Sequence, residues 1–274
     1  MVKMGTVWDR TAEFLTDNLP SIMPIALVAF FVPFSVMGSF QPLMSESNAG
    51  LTLVLELLTL GFVVVVSWGM LALTAMVLDG GPDAGKIAAR RLVPSLLVSV
   101  AIFLAMALLF APVVLTLLVS GVDLFALMRG VPVDLSLPVS VGWAICIYSL
   151  LAVGVAAWIS ARVAVANAVI VREKLAFGAI ARSWTLTRGV VWRIVGVAFL
   201  YIVVSNVAAL AARLVFGSIF TLIAGAGDSV MSLSGVLTSV IVAAVQTGFT
   251  VLAPLFTAKL YVALVTERER ATQS

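Results

Sequence analysis

Long apolar stretches alternate with short polar segments along the whole chain. A helix needs about 20 apolar residues to cross the hydrocarbon core of a bilayer, and six stretches are long enough. They lie at about residues 20–40, 51–78, 92–119, 139–170, 190–223 and 235–265. The many β-branched residues do not favour strands, because an open strand in lipid leaves backbone groups unpaired. We therefore expect an all-α protein with six transmembrane helices in a single integral membrane domain, residues 1–274.

Some of the polar segments between these stretches have an amphipathic pattern. Residues 6–18 and 177–188 both place apolar side chains at helical spacing among charged ones. This pattern is typical of a short helix that lies in the membrane interface. Residues 87–92 form a third candidate, which suggests three units that each consist of an amphipathic segment and a membrane hairpin. Six spans arranged as hairpins would also look repetitive without such a repeat.

Composition supports a membrane protein. Only 11% of the residues are charged, 62% are hydrophobic, and the mean hydropathy is +1.21. Soluble domains carry about 25% charged residues because their surfaces face water. A chain with so little charge cannot cover a water-facing surface, so we interpret it as an integral membrane protein.

Basic residues are distributed unequally between the two ends of the predicted spans. Lys and Arg near the ends of spans favour the cytoplasmic side of a membrane. All of them fall on one side here, except Arg129 and Arg213. The asymmetry predicts cytoplasmic N- and C-termini, and external loops at 41–50, 120–138 and 224–234.

Several kinds of chemistry are excluded by residue counts. The chain has no histidine and a single cysteine, Cys146. A Ser-His-Asp or Cys-His triad, a His-ligated zinc or haem site and an intramolecular disulfide are therefore excluded. Cys146 lies in an apolar helix, where we expect it to pack as a small hydrophobic residue. We expect no cofactor and no metal, and no nucleic acid among the partners.

The segment FGAIARSWTLTRGVVWRI, residues 177–194, concentrates basic and indole side chains between two apolar stretches. These side chains belong to Arg182, Trp184, Arg188, Trp192 and Arg193. Arginines at the interface can meet lipid phosphates, and tryptophans settle at the level of the headgroups. We predict that these five residues bind anionic lipid headgroups. Topological anchoring without lipid selectivity is the alternative.

The sequence around this segment resembles a known family. Glu173 ends the fourth apolar stretch, and an Arg-Ser-Trp-x-Leu-Thr-x-Gly signature follows in a predicted amphipathic helix. The residues that match this signature are Arg182, Ser183, Trp184, Leu186, Thr187 and Gly189. Two further features match as well: Trp192 and Arg193 at the start of the next apolar stretch, and Tyr261 and Arg268 in the ending LYVALVTERER. These features resemble the bacterial membrane domain that is attached to some glycerophosphoryl diester phosphodiesterases, and a related group of six-span inner-membrane proteins.

The resemblance implies a six-span protein of the bacterial inner membrane. It implies no activity, because the function of the membrane domain by itself is not established. The phosphodiesterase needs catalytic histidines in a soluble barrel, and this chain has no histidine. We therefore do not expect the enzyme activity here.

Two ionisable residues fall within predicted spans, where an unpaired charge is expensive. Glu56 lies a few residues into the second span from the outer side, and Arg213 lies roughly 29 Å along the fifth helix from Ile194 at a rise of about 1.5 Å per residue. Because their depths agree and their charges are opposite, we predict an intramembrane ion pair, either direct or through water. Alternatively, Arg213 snorkels outward and Glu56 is protonated or faces the outer loop.

Other polar residues and glycines within the spans suggest anchoring and packing. Arg162 and Lys259 lie near the cytoplasmic ends, where we interpret them as snorkelling anchors. Asn167, Asn206 and Gln246 are candidates for hydrogen bonds between helices. Five glycines predict close approaches of helices, at positions Gly61, Gly69, Gly154, Gly196 and Gly248.

These observations favour a non-enzymatic membrane protein that interacts with lipids or organises the membrane and envelope. Its expected partners are membrane lipids with anionic headgroups on the cytoplasmic side, and a homo-oligomer or another membrane protein is left open. The alternative is a small transporter or lipid flippase that uses polar groups such as Glu56 and Arg213. A membrane-embedded enzyme is the weakest hypothesis, because no acid–base constellation is visible in the sequence.

Overall fold

The computed structural model of the chain describes residues 2–46, 49–81, 83–128, 137–224 and 232–273. Within these ranges the regular structure is helical and contains no strand. Six helical segments are long and apolar enough to cross a membrane. The prediction of an all-α protein with six spans is therefore confirmed.

The six spans are built from helices of unequal regularity. Helix α1 (Met4–Asp17) precedes the first span, which consists of α2 (Leu19–Ala26), a π-helical turn (Leu27–Phe31) and α3 (Val32–Glu46). The second and third spans are α4 (Ala49–Asp79) and α5 (Ala84–Val119), followed by the short α6 (Leu124–Met128). The fourth span combines α7 (Val139–Val163) and α8 (Ala166–Arg172); α9 (Gly178–Leu186) then leads to α10 (Val191–Ala224) and α11 (Leu233–Gln273).

The amphipathic segments of the sequence do not all form separate helices. Helices do form at α1 and α9, but residues 87–92 are the first part of the continuous α5. No glycine or proline stops a helix between Gly85 and Pro94, and Pro94 itself is accommodated inside α5. The prediction of a third separate amphipathic helix is therefore wrong, and the three-unit repeat loses one of its members.

Helix α11 lies at the centre of the packing. It contacts α3, α4 and α10 along its length, and it also contacts α1, α8 and α9. Helix α5 packs against α4 and α7, and α7 packs against α10. The chain therefore closes a bundle in which the last span joins the first, second and fifth spans.

Two apolar cores hold this bundle together. One joins α1, α8, α9, α10 and α11 through buried side chains that include Val7, Val165, Leu186 and Leu260. The other joins the first span, α4, α5 and α11 through Ile22, Phe30, Leu71, Leu255 and their neighbours. Many other apolar side chains face outward, as expected for helices that are apolar on all sides and are surrounded by lipid. The single cysteine, Cys146, was predicted to pack as a small hydrophobic residue, and it lies at an exposed position of α7.

Only one of the five glycines singled out in the sequence marks a close approach of helices. A Cβ atom added to Gly69 would lie 2.4 Å from the Cβ of Ala29 and 3.0 Å from the ring of Phe30, in the π-helical turn. Beyond the backbone of their own helical turns, the other four have no described atom within 4 Å of such a Cβ: Gly61, Gly154, Gly196 and Gly248. The prediction of close packing is confirmed at Gly69 and wrong at these four positions.

Hydrogen bonds between spans come partly from residues that the sequence suggested. Ser95 donates to Oδ1 of Asn167 at 3.2 Å, which connects α5 to α8. Asn206 instead donates to the carbonyl of Ile202 in its own helix at 2.8 Å. Gln246 is exposed and makes no hydrogen bond within the described part of the chain. Of the three predicted residues, only Asn167 therefore bonds to another helix.

Candidate functional site at the basic end of the bundle

One end of the bundle collects the segments that carry most of the basic residues. We call it the basic end and define it as residues 2–18, 79–91, 172–193 and 259–273. Long-range contacts join these segments: Arg172 pairs with Asp79 at 2.7 Å, Arg193 Nη1 donates to the carbonyl of Val2 at 3.2 Å, and Arg268 donates to the carbonyl of Thr185. The segments of the basic end are therefore held together by contacts between residues that are far apart in the chain.

A break in the fourth span positions α9 at this end. The backbone leaves α-helical hydrogen bonding at Ala164 and Val165, between α7 and α8. The carbonyl of Arg162 accepts a hydrogen bond from the hydroxyl of Ser183 at 2.7 Å, and the hydroxyl of Thr187, which donates to the carbonyl of Ser183 at 2.9 Å, lies 3.3 Å from it. Both hydroxyl residues are fully buried. Because a buried carbonyl without a partner is costly, these bonds stabilise the break and hold α9 across it.

Arg162 occupies the centre of an aromatic pair next to this break. Its guanidinium lies 5.1 Å from the ring centroid of Trp158 and 5.2 Å from that of Trp184, and the two indoles contact each other edge to face at 5.1 Å. Its Nη1 donates to the carbonyl of Trp184 at 3.0 Å, and its buried Nε has no hydrogen-bond partner in the described chain. Arg162, which was predicted to be a snorkelling anchor, therefore also connects α7 to α9 through cation–π contacts.

A second polar cluster connects α9 to α11 through Glu173. Arg182 Nε lies 3.1 Å from both carboxylate oxygens of Glu173, and the hydroxyl of Tyr261 donates to Oε1 at 3.0 Å. The side chain of Glu173 is 24% exposed and that of Arg182 is 42% exposed. The carboxylate thus has charged and neutral donors, which makes this cluster a structural connection between three segments of the basic end.

Two left-handed residues set the turns around α9. Lys174, with φ 59°, follows α8, and Gly189, with φ 92°, lies between α9 and α10. Glycine adopts this conformation without steric cost, whereas lysine does not. The glycine of the signature is therefore explained by a turn, and the turn at Lys174 is held by the contacts of Glu173 beside it.

The connection between α4 and α5 is fastened by two local contacts. Trp68 Nε1 donates to the carbonyl of Gly85 at 3.1 Å, and Lys86 Nζ lies 2.8 Å from Oδ1 of Asp83. The hydrogen bond from Lys86, with its positive charge, lowers the pKa of the Asp83 carboxyl below its ordinary value. Because Asp83 is fully exposed, this pair orders the turn without contributing much to stability.

The structure separates the five predicted headgroup-binding residues into two groups. Arg182 pairs with Glu173, Trp184 packs on Trp158 and Arg162, and Arg193 bonds to the carbonyl of Val2. Trp192, by contrast, is 77% exposed, and Arg188 is exposed with no side-chain partner within the described residues. Only Arg188 and Trp192 are thus presented to the surroundings without an internal role.

The predicted direct ion pair between Glu56 and Arg213 is not formed. Both residues are described and exposed, and neither makes an ion pair or a side-chain hydrogen bond with any described residue. Glu56 lies on α4, which packs mainly against α5 and α11, whereas α10 packs against α11 and α7. The two residues are therefore on helices that have other main neighbours, and a bridge through water stays a prediction.

Some of these contacts had a signal in the sequence and others had none. Trp158 and Arg162 are spaced i, i+4, the spacing that brings side chains together on one face of a helix. Glu173 and Tyr261 are 88 residues apart, and nothing local to either residue indicates the other. Sequence reasoning identified both residues through the family resemblance but not their contact.

Comparison of the chain with protein-family models, curated proteins and solved structures found no match.

Proposed function

We propose that this chain is a multi-pass protein of the bacterial inner membrane, with cytoplasmic termini, that binds anionic lipid headgroups at its basic end. In this proposal it organises the membrane or envelope and does not catalyse a reaction. It also belongs to the group of six-span proteins that its signature resembles. Six membrane-length helices and the concentration of basic residues at one end support this function.

The observation that carries the proposal is the exposure of two residues after α9, Arg188 and Trp192. Arg188 has no side-chain partner in the described chain, and Trp192 is 77% exposed. An exposed indole and an unpaired guanidinium four residues apart in the chain are a combination suited to headgroup level: the indole settles among the headgroups and the guanidinium meets a phosphate. In water, by contrast, the indole would expose apolar surface and the guanidinium would have no anionic partner.

Lipid retention on purification tests this function. The variant Arg188→Gln with Trp192→Ala should lower the preference of the purified protein for phosphatidylglycerol over phosphatidylethanolamine about fivefold, because one basic group near an anionic surface contributes about 1 kcal/mol. Native mass spectrometry of the protein with its bound lipids measures the preference.

The matched control removes the same residue types elsewhere. Arg213→Gln with Trp143→Ala changes two exposed residues towards the other ends of α10 and α7. This control should leave the preference unchanged. Equal lipid preference in wild type and both variants would remove the basis of the proposed function.

Interrupted helices favour a transporter or flippase as the second candidate. The first span contains a π-helical turn next to Pro24, and the fourth span is broken at Ala164 and Val165. Broken helices that line cavities are used by transporters. Phospholipid scrambling in proteoliposomes above that of empty vesicles would favour this candidate over a purely organising role.

A further inference from the structure

A groove between α1 and the C-terminal part of α11 has a composition unlike the rest of the bundle surface. It encloses about 270 Å³ and is lined by residues from 2–10 and 259–270. Four of the lining residues are basic: Lys3 and Arg10 from the N-terminal segment, and Lys259 and Arg270 from α11. A polar groove of this size accommodates a small anionic group.

Helical spacing explains why these side chains share one groove. Lys3, Thr6 and Arg10 recur at intervals of three and four residues, and Lys259 and Arg270 lie on one face of α11 about three turns apart. Helix α1 is held in place by the contact of Trp8 with Phe256, whose ring centroids are 6.1 Å apart, and by the buried Val7. The basic residues of the N-terminal segment and those of α11 therefore line the same groove, and the contacts of α1 hold its two walls in place.

The charges in the groove are not balanced by the protein. None of the four basic residues forms an ion pair with a carboxylate in the described chain. Glu267, which also lines the groove, already interacts with the backbone of Val2 and with Arg193. Glu13 acts on Lys259 only through longer-range electrostatics, as does Arg10 with the opposite sign. Among the residues that line the groove, four are therefore basic and one, Glu267, is acidic.

Lys259 is the residue for which this imbalance costs most. It is only partly exposed, and its ammonium lies 4.4 Å from the ring centroid of Phe14. A cation–π contact compensates only part of the hydration that a partly buried ammonium loses. A bound anion would supply the missing partner for Lys259 and would also reduce its repulsion with Arg10.

We propose that the groove between α1 and α11 binds a phosphate group through Arg10 and Lys259, with the exposed hydroxyl of Thr6 as a neutral donor and Arg270, about three turns along α11, adding positive charge to the groove. Arginine offers a planar fork of donors to phosphate oxygens, and lysine adds a compact charge. The phosphate belongs either to a phospholipid headgroup or to a soluble phosphate ester. The lipid form of this inference rests on the proposed function, whereas the groove itself uses residues other than Arg188 and Trp192.

Binding by the full-length chain in detergent tests the groove with two separate probes. Phosphatidylglycerol is titrated by native mass spectrometry, and glycerol phosphate is titrated by calorimetry. Arg10→Gln with Lys259→Gln should weaken binding of the probe that the groove recognises about 30-fold, since each of the two basic groups near an anionic partner contributes about fivefold. Arg129→Gln with Arg213→Gln removes the same charge outside the basic end and should have little effect.

A second variant keeps the test decisive if loss of Lys259 disturbs folding. Thr6→Glu places a carboxylate in the groove from an exposed position on α1, and Ala12→Glu adds the same charge to an exposed position of α1 outside the groove. Thr6→Glu should weaken phosphate binding at least tenfold, and Ala12→Glu should not. Circular dichroism confirms that both variants keep their helices.

The outcomes of these experiments distinguish a lipid phosphate from a soluble phosphate ester, and they distinguish both from failure of the proposal. Selective loss of phosphatidylglycerol binding in the groove variants supports a lipid headgroup, and the same pattern with glycerol phosphate supports a soluble ester. Equal effects in groove and control variants, or no effect in either, overturn the groove as a site. If Arg188 and Trp192 still control lipid preference in that case, the proposed function stands while this inference does not.

Discussion

Ser183, Thr187 and Gly189 show how a sequence signature can serve folding. The hydroxyls of Ser183 and Thr187 are fully buried beside the carbonyl of Arg162, and Gly189 adopts a left-handed backbone conformation. Each residue type is required by its local geometry: a small hydroxyl to reach a freed carbonyl, and a residue without Cβ for positive φ. At the residue scale, the signature therefore specifies the placement of α9, and of the five predicted headgroup-binding residues only Arg188 and Trp192 lack a contact within the described chain.

Gly69 gives the sharpest prediction at the residue scale. Gly69→Ala should lower the free energy of unfolding by about 1–3 kcal/mol, because its methyl would overlap Ala29 in the π-helical turn. Gly61→Ala, on the same helix with no neighbour within 4 Å, should be neutral or slightly stabilising. Thermal unfolding in detergent measures both.

A compensating substitution checks the cause of the effect. Adding Ala29→Gly to Gly69→Ala removes the closest overlapping methyl and should recover part of the lost stability. Equal stability of the two single-glycine variants on α4 would show that the helices do not approach closely at Gly69.

At the element scale, α9 is the part that joins the bundle at the basic end. It contacts α7 through Arg162 and Trp184, α8 through the Glu173–Arg182 pair, and α11 through Arg268. Its apolar side, with Ala179 and Leu186, enters the first of the two cores. An amphipathic helix that was expected to rest on lipid is thus also packed onto protein, and its inward arginine is satisfied by Glu173.

Coupling between Glu173 and Arg182 tests this role of α9. Each of Glu173→Gln and Arg182→Gln should lower stability by about 1 kcal/mol, a value kept small because Arg182 is 42% exposed. The double variant should lose less than the sum by about 0.5 kcal/mol or more, since neither charge is then left without its partner. A double-mutant cycle of unfolding free energies in detergent gives the coupling.

The control for this cycle is Arg188→Gln, which removes an arginine of the same segment that has no described side-chain partner. Its effect on stability should stay within about 0.5 kcal/mol, as for other exposed positions. Strictly additive losses in the cycle would mean that Glu173 and Arg182 do not stabilise one another.

At the scale of the whole molecule, the basic end and the middle of the bundle differ in construction. Polar bridges between distant segments collect at the basic end, where Arg172 meets Asp79, Arg193 meets Val2 and Glu173 meets Tyr261. The middle of the bundle is joined by single hydrogen bonds from Tyr148 and Tyr201 to carbonyls of neighbouring helices, and its outer surface is apolar. This arrangement fits helices in lipid with their charged connections at one interface.

Accessibility of single cysteines tests the predicted orientation of these ends. Cys146 is exposed and must first be replaced by serine. Ser47→Cys, Ser136→Cys and Ser229→Cys, positions that lie outside the described residues, should react with an impermeant maleimide in intact spheroplasts. Ala12→Cys, at an exposed position of α1, should react only after lysis. Ser183 is unsuitable as a reporter because it is fully buried, and the reverse labelling pattern would invert the topology.

The sequence alone predicted the six spans and the amphipathic character of α1 and α9, because apolar length and helical spacing are local properties of a chain. It did not predict where α5 begins, since helices extend past charged residues such as Arg90 and Arg91 unless proline or glycine stops them. Nor could it choose Gly69 among five similar glycines, because only the neighbouring helix decides whether a methyl has room.

The tertiary structure also decided which charged residues pair, because pairing depends on which helices are neighbours. Opposite charge and similar depth suggested Glu56 with Arg213, yet depth says nothing about which helices are neighbours, and the two residues form no direct pair. The partners of Glu173 come from α9 and α11, and the basic groove is created only where α1 lies against α11. The sequence determined that the chain is a bundle of six membrane-length helices with its charge at one end. Which of those charges are used within the protein and which stay exposed depends on contacts between residues far apart in the chain, and only the folded structure specifies them.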